Sequence, residues 1–98
     1  MTKPDKYVPV MTAFYREMIR EMDANQHKST WKGLGVEGAL ADLHYHVSKL
    51  DWAVRHRFDA DGDVDARFKR RDEVREFAAD VGNLCAMLLD NAGLLGIE

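Results

Sequence analysis

The sequence has few of the features that stabilise or anchor small proteins. Its one cysteine, Cys85, excludes an internal disulfide, and both of its 2 prolines lie at the N-terminal end. The longest apolar run, LCAMLL, is far too short to cross a bilayer. A net charge of −3 lacks the basic excess of nucleic-acid-binding proteins, and MTKPDKYVPV lacks the apolar segment of a signal peptide. We therefore expect a cytoplasmic protein with neither nucleic acid nor a membrane as partner.

Strand signals are also missing, because no segment alternates apolar and polar residues over the length of a strand. Apolar residues instead recur every three or four positions, as on one face of a helix. The predicted helices run from Val10 to about Met22, from Val36 to about Phe58, and from a start between Asp63 and Asp72 to Asn91. Asp63, Asp65 and Asp72 are each candidates for the N-cap of the third helix.

The chain of 98 residues is expected to form a single domain, residues 1–98. Three helices joined by short loops favour an all-α, antiparallel helical bundle. The third helix has more apolar surface than two neighbours can cover, and large exposed apolar patches are rare on monomers. We therefore expect a homodimer or a higher homo-oligomer to complete the bundle.

Two charged segments invite functional interpretations. DADGDVD, Asp59 to Asp65, resembles a calcium loop only superficially, because its glycine is fourth instead of sixth and Arg70 occupies the twelfth position. A solvated turn is the better interpretation, although the sequence leaves open whether the loop binds an ion. RFKRRDEVR places positive charge early in a helix, against the helix dipole. It indicates either a surface that faces phosphate or, more simply, a solvated face with ion pairs.

The third helix carries polar residues within its apolar sequence. Glu76 and Asp80 are four residues apart, and Asn83 follows on the same face. Two carboxylates at this spacing repel each other unless a cation compensates them, and either a metal ion or a basic side chain can do so. The alternative is that both side chains simply face water. Mg²⁺ prefers such hard oxygen ligands, with water and phosphate completing its coordination.

These residues carry a resemblance to a known family. REFAADVGNLCAMLLDNAG resembles the last core helix of the MazG-like all-α nucleoside triphosphate pyrophosphohydrolases, particularly the small phage-type members. That helix has the form E-x-x-x-D-V-x-N-x-x-x-M-x-x-D-N-x-G, and every specified position matches here. Upstream, NQHKSTWKGLG is similar to the N-x-H-K-G-G-W segment of such proteins, although Ser29 and Thr30 stand where glycines are usual. The similarity covers about residues 10 to 93.

The resemblance implies that a nucleoside triphosphate is split into a monophosphate and pyrophosphate. It implies Mg²⁺, or Mn²⁺, as the cofactor of an active protein, held by Glu76 and Asp80. It also implies that Asn83 and Lys28 contact the substrate and that Trp31 shapes the base pocket. No catalytic residue is assigned.

The second helix departs from the family pattern. The family's E-E-x-x-E motif aligns with LHYHVSKL, so Tyr45, His46 and Lys49 replace its three glutamates. Lys49 would put a positive charge where a metal is expected, and it is a candidate to neutralise Glu76 or Asp80 itself. His46 suits Mn²⁺ or Zn²⁺ better than Mg²⁺. Two hypotheses follow from the resemblance: a pyrophosphohydrolase with an altered metal site, or an inactive helical module that binds a nucleotide or a protein and needs no cofactor. A third hypothesis sets the resemblance aside and takes the protein as a helical adaptor without a small-molecule site.

Overall fold

The computed structural model describes residues 3–25, 33–59 and 63–97. This part of the chain is helical and contains no strand, which confirms the all-α class. A short 3₁₀ helix, Lys3–Tyr7, leads into three α-helices: α1 is Val8–Asn25, α2 is Gly35–Arg55 and α3 is Val64–Asn91. Within the described ranges, no helix combines the length and the apolar character needed to cross a membrane.

The ends of the helices follow local chemistry. Asp63 caps α3, because its side chain accepts a hydrogen bond of 3.1 Å from the backbone N–H of Ala66. Asp63 was one of three predicted candidates for this cap. At the other end, Gly93 has a φ of 71°, a conformation that favours glycine and stops the helix. The second helix ends at Arg55, slightly before the predicted Phe58.

Helices α2 and α3 pack antiparallel, and α2 makes its contacts with α3 in a regular register. His46 faces Asp80, the Lys49 ammonium lies over the ring of Phe77, and Trp52 stacks with the guanidinium of Arg70. Residue numbers therefore rise along α2 as they fall along α3. This register brings His46 and Lys49 of α2 against the segment of α3 that carries Asp80 and Phe77.

Helix α3 is the centre of the structure. Both α1 and α2 pack on it, whereas the described parts of α1 and α2 do not pack on each other. The approach of α1 depends on Gly82, because a Cβ atom there would lie 2.6 Å from Sδ of Met18 and 2.9 Å from Cζ of Phe14. A larger residue would force the side chains of Met18 and Phe14 to shift.

The core of the chain is small. The buried apolar residues among those described are Ala39, Ala53, Ala79, Leu84 and Met87. The surface of 7351 Å² exceeds the roughly 5,700 Å² expected for a folded monomer of this mass. The radius of gyration of 15.5 Å likewise exceeds the value of about 13 Å for a compact chain of this length.

The uncovered apolar surface lies mostly on α1 and α2. Sequence analysis placed it on the third helix, but α3 is covered from two sides by its neighbours. On α2, four exposed apolar side chains lie along one side of the helix: Val36, Leu40, Val47 and Val54. On α1, the exposed apolar side chains include Val8, Met11, Tyr15 and Ile19.

Candidate functional site

The polar residues of α3 meet residues of both neighbouring helices. We define the acidic groove by five residues: Glu21, His46, Glu76, Asp80 and Asn83. Asp80 faces His46 of α2, Asn83 contacts the backbone of α1, and the charge of Glu21 of α1 acts on Glu76. The predicted Glu76, Asp80 and Asn83 thus lie where α1 and α2 both approach α3.

His46 is oriented by its own helix. Its Nδ1 atom lies 2.9 Å from the backbone carbonyl oxygen of Asp42. Because a carbonyl oxygen only accepts hydrogen bonds, Nδ1 carries the proton and donates it. The other ring nitrogen, Nε2, lies 3.8 Å from a carboxylate oxygen of Asp80, beyond hydrogen-bond distance. In a neutral imidazole this nitrogen holds the lone pair, so it is oriented as in histidines that bind metal ions.

The separation between His46 and Asp80 suits a shared cation. Two ligand atoms that each lie about 2.1 Å from one ion are at most about 4.2 Å apart. The observed 3.8 Å lies within this limit. The described residues hold no group of three or more histidine, cysteine or acidic side chains arranged around one metal position. Any ion here therefore needs water or ligand oxygens to complete its coordination.

Glu76 experiences an unfavourable electrostatic environment. Partial desolvation, followed by the negative charges of Glu21, Asp72, Asp80 and Glu73, raises the pKa of Glu76 above its usual 4.5. Its neighbour Arg75 does not compensate it, because that guanidinium pairs with Asp72 at 3.2 Å. The ionised form of Glu76 is thus disfavoured, and a cation that enters the groove would relieve the repulsion.

The raised pKa of Glu76 predicts a pH-dependent gain for Glu76→Gln. The folded protein binds the Glu76 proton more tightly than the unfolded chain, so this stabilising contribution is complete below pH 4.5 and is lost as the pH rises through the folded-state pKa. We expect Glu76→Gln to raise the melting temperature by about 1–3 °C at pH 7 in EDTA. The gain disappears well below pH 4.5.

Thermal melts of the two proteins across this pH range measure the effect. Glu73→Gln is the matched control, because Glu73 pairs with Arg70 at 3.5 Å and gives up an ion pair when neutralised. Glu73→Gln is therefore not expected to raise the melting temperature at pH 7. A gain for Glu76→Gln that is the same at every pH would contradict the assigned environment.

The ammonium group of Lys49 lies against aromatic rings. Its Nζ atom lies 4.5 Å from the ring centroid of Phe77 and 5.4 Å from that of Tyr45. None of the ion pairs between described residues involves Lys49. The ammonium thus rests on the faces of two aromatic rings. The hypothesis that Lys49 neutralises the carboxylates in a direct pair has no such pair to support it.

The other predicted residues differ in their surroundings. The amide nitrogen of Asn83 donates to the backbone oxygen of Met18 at 2.8 Å and thereby ties α1 to α3. Tyr45 is exposed, and its ring meets that of His46 edge-on. Lys28 and Trp31 lie outside the described residues. In the acidic loop, which is described only at its ends, Asp59 contacts the His56 ring and Asp63 caps α3.

The sequence analysis missed Glu21. Its only signal is position, since it comes three residues after Met18 on a helix that packs against α3. A single carboxylate on the polar side of an amphipathic helix is common, so no pattern in the sequence distinguishes it. The approach of α1 to Gly82 is what brings this charge near Glu76.

Comparison of the chain with protein-family models, with curated proteins and with solved structures gives no match. A functional assignment therefore depends on the residues of the acidic groove and their contacts.

Proposed function

We propose that the protein is a MazG-like nucleoside triphosphate pyrophosphohydrolase with an altered metal site, which splits a nucleoside triphosphate into a monophosphate and pyrophosphate. The observation that carries the proposal is the approach of His46 to Asp80 beside Glu76. Three helices contribute to one polar groove, and two of its carboxylates lie one turn apart. The resemblance of α3 to the last helix of that family supports the same reaction.

The donor set fits a divalent cation that accepts nitrogen as well as oxygen. Glu76 and Asp80 would hold the ion, and His46 would add Nε2 from the opposite helix. A protein site this incomplete leaves positions for phosphate oxygens, as is usual for ions that bind together with nucleotides. The imidazole favours Mn²⁺ over Mg²⁺. When bound, such an ion activates water and neutralises charge on the phosphates.

The side chains of the groove then have distinct tasks. The hydrogen bond from Nδ1 to the Asp42 carbonyl keeps the lone pair of His46 directed at Asp80. The Lys49 ammonium beside Phe77 offers positive charge to the triphosphate. Lys28 and Trp31 are proposed, from the resemblance alone, to contact the phosphates and the base, and Asn83 is proposed to contact the substrate through its carbonyl oxygen.

A second candidate is a catalytically inactive MazG-like module that binds a nucleotide or a protein. The observation that favours it is Lys49, a basic residue that packs on the ring of Phe77 at a position where the family pattern has an acidic ligand. The absence of a three-ligand group among the described residues points the same way. In this alternative the groove keeps its shape while the chemistry is lost.

One experiment separates these candidates. The purified protein is incubated with each common ribo- and deoxyribonucleoside triphosphate in Mg²⁺ or Mn²⁺, and pyrophosphate release is measured. The enzyme proposal expects turnover of at least one nucleotide, faster with Mn²⁺ than with Mg²⁺. If no nucleotide is turned over with either ion, the enzyme proposal is wrong. Nucleotide binding without turnover then supports the inactive module.

We also propose that the protein is a homodimer or a higher homo-oligomer. The surface in excess of a compact monomer is roughly 1,600 Å², whereas a standard interface buries about 800 Å² per partner. The exposed apolar side of α2 is the expected contact. Sedimentation equilibrium is expected to give at least twice the monomer mass of 11.2 kDa, and Val47→Lys is expected to weaken the association. A monomer at every concentration would contradict this proposal.

A further inference from the structure

A cavity of about 300 Å³ lies at the end of the α2–α3 pair. Its lining consists of Arg57, Phe58, Val64, Arg67, Phe68 and Arg71. This volume is at the lower end of the range for small-molecule sites. Two of the lining residues come from the turn after α2, and the other four come from the first two turns of α3. We refer to this cavity as the arginine cavity.

The arginine cavity is separate from the acidic groove. Its four α3 residues, from Val64 to Arg71, follow the i, i+3, i+4, i+7 spacing of one helix face. Asp80 comes nine residues after Arg71, which places it about half a turn around the helix and roughly 13 Å further along it. The two sites therefore lie on different sides and at different heights of α3.

The charges in the arginine cavity lack acidic partners. Of the ion pairs between described residues, none involves Arg57, Arg67 or Arg71. Three arginines close by in the chain are each paired: Arg55 with Asp51, Arg70 with Glu73, and Arg75 with Asp72. Among the described residues, the three arginines that line the cavity thus lack the acidic partner that these neighbours have, in a chain whose overall charge is negative.

The helix dipole adds to this positive field. Arg67 and Arg71 lie in the first two turns of α3, where the dipole favours negative charge. Basic side chains at this place are unfavourable by themselves. An anion held between them would relieve the repulsion and also interact favourably with the end of the helix. The basic cluster that the sequence analysis left with two interpretations therefore has a phosphate-facing geometry at these positions.

Aromatic rings form the remainder of the lining. Phe58 and Phe68 expose 66% and 55% of their surface, which is unusually high for phenylalanine. The Arg57 guanidinium lies 4.4 Å from the ring centroid of Phe58, and that of Arg71 lies 5.6 Å from the ring centroid of Phe68. A planar ligand group would stack on these faces, as nucleobases do on aromatic and guanidinium planes.

We propose that the arginine cavity binds a small organic phosphate with a planar aromatic ring, the chemistry of a mononucleotide. A phosphate offers oxygen acceptors to several guanidinium forks at once, whereas one carboxylate satisfies only one or two. The aromatic ring of the ligand stacks on Phe58 and Phe68. This second ligand site is independent of turnover in the acidic groove and does not rest on the proposed function.

Isothermal titration of the full-length protein tests the proposal. The measurements use EDTA and the Asp80→Asn variant, so that metal-dependent binding in the acidic groove does not contribute. The probes are the four ribonucleoside 5′-monophosphates, with inorganic phosphate, ribose 5-phosphate and adenosine as partial ligands. At least one monophosphate is expected to bind about tenfold more tightly than each partial ligand, because it uses both arginines and rings.

Two variants distinguish the contribution of the arginines, which bind the phosphate, from that of the phenylalanines, which stack on the ring of the ligand. Arg71→Gln is expected to weaken monophosphate binding about tenfold. Phe68→Leu is expected to weaken it about fivefold or more, with little effect on inorganic phosphate. Arg75→Gln is the matched control, because it removes the same charge one turn further along α3 and outside the cavity. It is expected to leave binding within about twofold of the parent protein.

Three outcomes would overturn the proposal. The first is no binding of any monophosphate at 10 mM. The second is an equal loss in Arg75→Gln and Arg71→Gln, which would indicate a diffuse field instead of a site. The third is tighter binding of a single-stranded oligonucleotide than of every mononucleotide, which would assign the surface to nucleic acid. Because the acidic groove is silenced throughout, none of these outcomes depends on whether the protein hydrolyses nucleotides.

Discussion

Asp80→Asn is expected to lower the rate of pyrophosphate release by about 100-fold or more. Asp80 faces a residue of α2, because one of its carboxylate oxygens lies 3.8 Å from Nε2 of His46. In the proposed enzyme, replacing it would remove a negative ligand of the cation, while the shape of the side chain is retained. Rates are measured with the preferred nucleotide in Mn²⁺, over a series of ion concentrations.

Asp42→Asn is the matched control for this variant. Asp42 orients His46 through its backbone carbonyl, so the change removes a carboxylate from α2 without altering that hydrogen bond. Its activity is expected to stay within about twofold of the parent protein, as is usual for an exposed surface substitution. Full activity of Asp80→Asn, with an unchanged helical spectrum, would exclude the acidic groove as the site of hydrolysis.

Lys49→Glu is expected to lower the melting temperature by roughly 5–10 °C in EDTA. The change removes the contact of the ammonium with Phe77 and adds a negative charge against the segment of α3 that carries Glu76, whose pKa is already raised by its neighbours. It also restores an acidic residue at a position where the MazG-like pattern has glutamate. Millimolar Mn²⁺ or Mg²⁺ is therefore expected to recover most of the loss, since a bound ion stabilises the folded state by mass action.

Lys49→Met separates charge from packing in this experiment. Methionine keeps much of the apolar stem and contributes no charge, so a small loss that metal does not reverse is expected. Differential scanning calorimetry of the three proteins, with and without metal, gives the comparison. If Lys49→Glu melts at the temperature of the parent protein in EDTA, Lys49 has no electrostatic role in the groove.

The sequence predicted the helices well because each prediction depended on local chemistry. The recurrence of apolar residues located all three helices, and Asp63 and Gly93 bounded the last one as predicted. The placement of Glu76, Asp80 and Asn83 on one face of the third helix likewise follows from their spacing alone, since residues three and four apart share a helix face. These features need no knowledge of what the helices touch.

Features that depend on contacts between helices were not predictable in this way. The lone pair of His46 is directed by a backbone carbonyl, and Asn83 contacts the backbone of α1, so neither pattern is visible in residue types. The contact between Lys49 and the ring of Phe77 depends on the register of α2 on α3, which the sequence does not reveal. The unpaired arginines of the cavity resemble their paired neighbours in sequence and differ only in where the helix face directs them.

The docking of α1 on α3 alone has a consequence for the order of folding. Helices α2 and α3 are joined by a short connection and assemble through contacts that are close in sequence, so their pairing closes a small loop. The Asn83 bond to Met18 spans a far longer stretch of chain. The α2–α3 hairpin is expected to form first and α1 to attach last, and amide protons of α1 would accordingly exchange with solvent before those of α3.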